Sequence, residues 1–242
     1  MLEAAAWGLL GASSLLLGAI AGLALNIPKR VIGLILGFGA GTLISAVSFE
    51  LTEEAFHLGG ADTVALGLAL GALAYFTGDT LIARQSPRSR MSHGESVEAD
   101  TGSALVLGAV LDGIPESAVI GLSLLGGGGV AVPVLAAVFL SNMPESISSS
   151  AEMRRKGLRT RHVITVWLVV VLVSGISAAA GYGLLENASG DWIGLIQAFA
   201  GGAVLTMLVD TMIPEAYKDG GRAVGLITVL GFALAYLLST LE

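Results

Sequence analysis

Long apolar segments separated by short polar ones run along the whole chain. Each apolar segment is about 20 residues long, the length that an α-helix needs to cross the hydrocarbon core of a bilayer. Strands of a membrane barrel would be about half as long and would alternate between polar and apolar positions. The pattern predicts an all-α integral membrane protein with eight transmembrane helices, at Ala5–Leu25, Val31–Ala55, Thr63–Ala83, Gly102–Leu125, Val130–Met153, Val163–Leu185, Trp192–Ala216 and Ala223–Leu241.

The lysines and arginines, 12 in all, fall in alternate loops, after predicted helices one, three, five and seven. Because basic loops stay in the cytoplasm, this predicts a multi-pass protein of the cell (inner) membrane with both termini outside. The start Met1-Leu2-Glu3 has no basic residue, so a cleaved signal peptide is not expected. Residues 1–242 then form one polytopic domain. The longest polar break, 84–101, is predicted to be a flexible cytoplasmic loop.

Composition narrows the function classes. Charged residues make up 13% of the chain and apolar residues 54%, whereas an ordinary soluble domain is about 25% charged. A soluble enzyme is therefore excluded. The net charge of −7 argues against a nucleic-acid partner, and the absence of cysteine excludes disulfide scaffolds and thiolate metal sites.

Two pairs of segments resemble each other. Helix two reads GFGAGTLISAVSFELTEEAF from Gly37 and helix seven reads AFAGGAVLTMLVDTMIPEAY from Ala198, an offset of 161 residues. Helix four carries LDGIPES from Leu111 and helix five carries LSNMPES from Leu140. Both pairs cross the membrane in opposite directions, which predicts inverted repeats of helices 1–3 with 6–8 and of helix 4 with 5. For the glycine-rich pair, similar composition is an alternative explanation.

Glu116 and Glu145 lie well inside predicted helices four and five. An ionised carboxylate in hydrocarbon costs several kcal/mol. Every lysine and arginine lies in a loop, so no salt bridge neutralises these acids at that depth. A bound cation or bound protons remain.

The spacing of polar groups around these glutamates predicts a metal site. Asp112 lies four residues before Glu116, and Ser141 and Asn142 lie four and three residues before Glu145. Pro115 and Pro144 directly precede the two glutamates. Because proline has no N–H, the carbonyls of Leu111 and Leu140 lose their helical hydrogen bonds. Oxygen donors of this kind suit a divalent cation; the alternative is a protonated, hydrogen-bonded acid pair. The predicted metal ligands are Asp112, Glu116, Ser141, Asn142 and Glu145.

These residues resemble the ZIP (zinc- and iron-regulated-transporter-like) metal transporters, as a divergent bacterial-type member. That family has eight helices, both termini outside, and a histidine-asparagine-x-proline-glutamate-glycine pattern in helix four. Helix five of the family carries a related run ending in proline-glutamate, and together they form a two-metal centre. Val209–Ala216 in helix seven also looks like the family. The resemblance implies divalent metal uptake into the cytoplasm by an elevator-type motion of helices 1, 4, 5 and 6 against helices 2, 3, 7 and 8.

Residue by residue, the resemblance is partial. Glu116 and Glu145 match the metal-holding glutamates of the family, whereas Asp112 stands where the family usually has a histidine. Ser141 replaces a histidine or glutamine, and Asn142 replaces an acid or histidine. One metal site is therefore expected rather than two. The family implies zinc, whereas an all-oxygen site favours harder ions such as manganese or magnesium, with iron also open.

Competing functions remain open at this point. A divergent family member that binds a cation but acts as a sensor or structural protein is the main alternative. An intramembrane hydrolase would need a histidine at depth or two facing aspartates in a motif, and neither is present. The glycine-rich faces of helices two and seven suit close packing within one molecule or in a homodimer.

Acids near the outer end of helix two have two interpretations. Glu50, Glu53, Glu54 and Asp62 would attract cations if they line an entrance. Alternatively, Glu53, Glu54 and Asp62 mark a solvated helix end. The burial and the neighbours of each side chain distinguish an acidic entrance from a solvated helix end.

Overall fold

A computed structural model describes residues 1–85, 113, 116–126 and 130–240. Most of these residues are helical, and there is no strand among them. The predicted loop 84–101 lies outside the described residues apart from its first two, which continue the preceding helix. The helices are α1 (Leu2–Ala24), α2 (Lys29–Ala46), α3 (Glu53–Gln85), α4 (116–123), α5 (Val132–Arg155), α6 (Thr160–Leu185), α7 (Gly190–Met207), α8 (Ile213–Gly220) and α9 (Ala223–Ser239).

Four helical runs in the described part of the chain are long and apolar enough to cross a membrane. They are Leu2–Ala24, Lys29–Leu81, Thr160–Leu185 and Gly190–Gly220, and α9 is a shorter apolar helix. Large apolar side chains such as Leu73, Ile176 and Leu226 are 62%, 69% and 77% exposed. A soluble protein would bury them, so these surfaces fit contact with lipid. The chain is a multi-pass, all-helical membrane protein; the number of spans stays a prediction.

The run from Lys29 to Leu81 is not one straight helix. A straight helix of its 53 residues would be about 80 Å long, against about 30 Å of hydrocarbon. The chain turns at Gly60, whose φ of 76° and ψ of −177° are not helical. Gly194 of α7 packs on Ala55 before this turn, and Phe199 packs on Gly71 after it. The two limbs of α3 therefore run in opposite directions, where the sequence predicted a break between Ala55 and Thr63.

One group of helices consists of α1, α4, α5 and α6. Gly11 of α1 faces Ile120 of α4 and Val138 of α5, and Gly18 faces Ser146. A side chain at Gly18 would collide with the Ser146 hydroxyl and the Met143 carbonyl oxygen. These glycines bring α1 into close backbone contact with α5. We call this group the α5 bundle.

A second group consists of α2, α3, α7, α8 and α9, which we call the α7 bundle. Gly41 of α2 abuts the Thr228 carbonyl of α9, and Gly202 of α7 abuts the Leu68 carbonyl of α3. Any Cβ at either glycine would collide with that oxygen. The glycine faces of α2 and α7 are thus covered within the chain, and the homodimer stays a prediction.

Backbone irregularities occur at the same 161-residue offset as the sequence similarity. A π-helical turn spans Val47–Thr52 (π1) and another spans Leu208–Met212 (π2). Gly60 and Gly221 have φ of 76° and 69°. The Thr52 hydroxyl donates to the Val47 carbonyl, five residues back, which suits the wider π turn. The uniform helices predicted over both segments missed these turns.

Basic residues from separate segments meet at one end of the molecule. A cavity of about 510 Å³ there is lined by Lys29, Arg155 and Lys218, from three different basic segments, together with the acids Glu152, Glu215 and Asp219. Asp62 and Asp191 lie together at the opposite end, where α3 turns and α7 begins. The fold thus gathers three of the four predicted basic segments on one side; most of the fourth, at 84–90, lies outside the described residues. The side of the membrane that each end faces stays a prediction.

Candidate metal site

Glu116 lies in α4 and is only 2% exposed. One helical turn later, Ile120 lies against Gly11 of α1. The fold therefore holds Glu116 in the interior of the α5 bundle, on a helix that packs against α1. A buried carboxylate at this place needs a proton, a hydrogen-bond network or a cation to be tolerated.

Ser141 and Asn142 are 2% and 3% exposed, in the middle of α5. The Ser141 hydroxyl donates to the Val138 carbonyl at 3.0 Å, and its oxygen keeps acceptor capacity. The Asn142 carbonyl accepts from the Ser146 hydroxyl at 3.0 Å. Both predicted ligands are thus polar groups in the interior of the protein.

Glu145 is partly buried, and Pro144 lies inside α5 just before it. Because proline has no N–H, the Leu140 carbonyl loses its helical partner. That carbonyl faces α2: a Cβ on Gly39 would lie 3.4 Å from the Leu140 oxygen and 3.0 Å from the Ser141 Cα. The freed carbonyl therefore lies where the two bundles meet.

Antiparallel packing puts Glu116 near the level of the α5 ligands. The backbone N–H of Ala131 donates to the Ser123 hydroxyl, which closes the α4–α5 connection. Ile120 and Val138 then meet at Gly11 of α1. Going back one turn on α4 and forward one turn on α5 reaches Glu116 and Asn142. Glu116 and Asn142 therefore lie at the same depth in the bundle, to within about one helical turn of 5.4 Å.

Part of the predicted site falls outside the described residues. Asp112, Pro115 and Leu111 are not among the described residues. The third carboxylate and the freed Leu111 carbonyl therefore stay predictions. In the ranges that the structure describes, no three histidine or acidic side chains group closely enough to hold a metal ion. The five-ligand site stays a prediction.

A contact between the bundles was missed by sequence reasoning. The Ser148 hydroxyl of α5 donates to Glu215 Oε1 of α8 at 2.8 Å. Both residues line the cavity at the basic end, one helical turn from Glu145 along α5. The repeated proline-glutamate pair at 214–215 was a signal in the sequence, but its serine partner depends on how α5 and α8 pack.

The outer acids separate into two environments. Glu53 is exposed and lies 4.0 Å from His57, and Asp62 is exposed as well. These two fit a solvated helix end. Glu54 differs because it is half-buried and its carboxyl lies close to Gln197 of α7. Gln197 is only 1% exposed, and its polarity within an apolar segment was the available signal.

Comparison with known proteins finds a similarity that covers most of the chain. A protein of Arabidopsis thaliana named "Putative zinc transporter" is 24% identical over 229 residues, which cover 93% of this chain. The chain spans 36% of the length of that relative. No protein-family profile matches the chain.

Proposed function

We propose that this protein is a ZIP-like transporter that moves a divalent metal cation across the membrane. The observation that carries the proposal is the position of Glu116. This carboxylate is only 2% exposed and lies within the α5 bundle at about the depth of Ser141 and Asn142. The name of the Arabidopsis relative points to zinc transport and to a transporter rather than an enzyme. A hydrolase has no comparable support.

The proposed ligands are Asp112, Glu116, Ser141, Asn142 and Glu145, with the Leu140 carbonyl as a further oxygen donor. Two or three carboxylates around a doubly charged ion leave little net charge in the interior, which lowers the cost of burial. Oxygen donors favour manganese or magnesium over zinc, whereas the relative's name favours zinc. Flux measured with each of these metals in turn decides between zinc and the harder ions.

We further propose eight spans built as inverted repeats, in the inner membrane with both termini outside. The paired π turns and the paired glycines Gly60 and Gly221 support the repeat of helices 1–3 with 6–8. Uptake into the cytoplasm would follow when the α5 bundle slides against the α7 bundle. Gly39 supports this motion because it leaves backbone rather than interlocked side chains at the α2–α5 contact.

The test is a flux measurement on protein reconstituted in liposomes. Zinc, manganese, iron and magnesium are offered in turn to the wild type, Glu116→Gln and Glu145→Gln. Each substitution removes one negative ligand and keeps the side-chain volume, so metal flux should fall at least roughly ten-fold. Glu186→Gln, at an exposed acid after α6, is the matched control and should keep wild-type flux.

Two outcomes contradict the proposal. Normal flux in Glu116→Gln or Glu145→Gln would show that the metal passes elsewhere. Metal binding by the wild type without any flux would favour the sensor or structural alternative. Size-exclusion profiles and circular dichroism of all variants establish that lost flux does not reflect lost folding.

A further inference from the structure

A second cavity lies at the basic end of the molecule, between the end of α1 and the end of α5. Its volume is about 380 Å³, within the range of about 300–1,000 Å³ that is typical of small-ligand pockets. Its polar lining consists of Asn26, Arg154 and Arg155, and its apolar lining includes Leu25 and Ile27. We call this cavity the arginine pocket.

Close packing of α1 against α5 builds one wall of the arginine pocket. A Cβ on Gly22 would lie 2.5 Å from the Ile147 carbonyl oxygen, so the two backbones touch there. Two turns further along α5, the Arg154 guanidinium donates to the Leu23 carbonyl near the end of α1. Arg154 is thereby held at the pocket and keeps further N–H donors, since a guanidinium carries five.

The positive charges at the arginine pocket are not neutralised by an acid in the part of the chain that the structure describes. Among the described residues, no carboxylate lies within ion-pair distance of Arg154 or Arg155. The described lining of the pocket contains no acid. Two cationic side chains and one amide therefore border a space that favours an anion.

Arg155 also borders the larger cavity at this end, which contains acids. They are Glu152, Glu215 and Asp219. Glu152 pairs with Lys156 at 2.7 Å, and Glu215 accepts a hydrogen bond from Ser148. Two of the three acids thus have partners of their own, and the charge of Arg155 remains available to an anion in the arginine pocket.

Apolar surface continues from the arginine pocket along α1. Leu17, Ile20 and Ala24 are exposed, and their spacing of three and four residues places them on one face of the helix. Leu25 follows this face and lines the pocket. A molecule that combines a negative headgroup with acyl chains would contact the arginines and this apolar face together.

The turn between α5 and α6 adds positive charge beside the pocket. Five basic residues occur within eight positions: Arg154, Arg155, Lys156, Arg159 and Arg161. Clusters of about four to eight lysines and arginines next to a membrane helix typically attract anionic lipid headgroups. The surroundings of the arginine pocket therefore favour a lipid anion.

We infer that the arginine pocket binds the phosphate headgroup of an anionic phospholipid, with its acyl chains along the exposed face of α1. Arginine suits this role because its planar guanidinium donates several hydrogen bonds to phosphate oxygens. The Asn26 amide supplies a further donor. The site is separate from the α4–α5 metal site, and its existence does not depend on the proposed transport.

The test is native mass spectrometry of the delipidated full chain in detergent, with dioleoylphosphatidylglycerol as the anionic probe and dioleoylphosphatidylcholine as the neutral one. The wild type should bind one phosphatidylglycerol in preference to phosphatidylcholine. Arg155→Gln should weaken phosphatidylglycerol binding at least roughly ten-fold, because a hydrogen bond between charged groups is lost. Arg161→Gln is the matched control: it removes the same charge from the same turn, outside the pocket lining, and should bind like the wild type.

Asn26→Asp is a second variant, which adds a negative charge to the pocket from the connection between α1 and α2 and should also weaken binding. Because Arg155→Gln and Asn26→Asp alter different segments, a folding defect in one leaves the other as the test.

Three results would overturn the inference. Equal losses in Arg155→Gln and Arg161→Gln would mean that general surface charge holds the lipid. Equal binding of the two lipids by the wild type would mean that the headgroup charge is not recognised. Displacement of phosphatidylglycerol by an equal concentration of inorganic phosphate would mean that the pocket takes a free anion instead of a lipid.

Discussion

Buried polar side chains do much of the specific pairing between helices in this protein. Trp167 of α6 donates its indole N–H to the Ser150 hydroxyl of α5 at 2.7 Å, and both residues are fully buried. Ser148 and Glu215 add a more exposed hydrogen bond between α5 and α8. In an apolar bundle, such bonds select which helix faces meet, because each unmade bond leaves a buried polar group without a partner.

Trp167→Phe should lower stability because it leaves the Ser150 hydroxyl without its donor and removes ring volume. The expected loss is about 1–3 kcal/mol for the hydrogen bond, with a cavity term added. The thermal unfolding midpoint in detergent should fall. Trp192→Phe is the control, since Trp192 is 60% exposed. Equal midpoints for the two variants would mean that the α5–α6 hydrogen bond contributes nothing.

Sequence reasoning found the interior acids but not their surroundings. Charge at depth within an apolar window marks Glu116 and Glu145 directly, because transfer into hydrocarbon is costly. The environments of Glu53 and Glu54 differ although they are neighbours. Which of the two turns toward Gln197 depends on the rotation of α3 against α7, and that rotation is set by glycine contacts far apart in the chain.

At the scale of elements, the turns at Gly60 and Gly221 are what separate consecutive spans. Both combine φ near +70° with extended ψ, a region that is essentially restricted to glycine. Nothing lies within 4 Å of a Cβ built on either residue. Their requirement for glycine is thus conformational and owes nothing to crowding.

Gly60→Ala should destabilise the protein by about 1–3 kcal/mol through backbone strain alone. Gly225→Ala, in α9, is the control, since it also has open space around its Cβ but lies in ordinary helix. That variant should be neutral or slightly stabilising. Thermal unfolding of both variants in the same detergent provides the measurement, and equal midpoints would argue against strain at Gly60.

Hydrophobic windows predicted these elements well and their interruptions poorly. The predicted end at Leu185 agrees with α6, and the predicted start at Ala223 agrees with α9. The π turns were missed because one extra residue in a turn leaves the apolar pattern almost unchanged. Only hydrogen bonds such as that from Thr52 to Val47 distinguish them.

For the whole molecule, sidedness is the prediction with the broadest consequences. The chain has no cysteine, so a single introduced cysteine gives an unambiguous label. Asp191→Cys should react with a membrane-impermeant maleimide added outside intact cells, because it lies at the acidic end. Lys218→Cys, at the basic end, should react only after the membrane is permeabilised.

The opposite labelling pattern would reverse the proposed orientation and with it the direction of uptake. Labelling of both positions from outside would contradict a single basic face toward the cytoplasm. Loop charge alone predicted that the segments of Lys29, Arg155 and Lys218 lie at one end. The division into two bundles needed the helix contacts, since apolar faces that meet lipid and apolar faces that meet protein look the same in sequence.

The pairing of α2 with α9 and of α7 with α3 also sets a schedule for biosynthesis. The first half of the chain leaves the ribosome with the glycine groove of α2 open, because α9, whose Thr228 carbonyl fills it, follows α8 in the chain. Until α9 is made, lipid can occupy the groove. The α7 bundle is therefore complete only after synthesis has passed through α9.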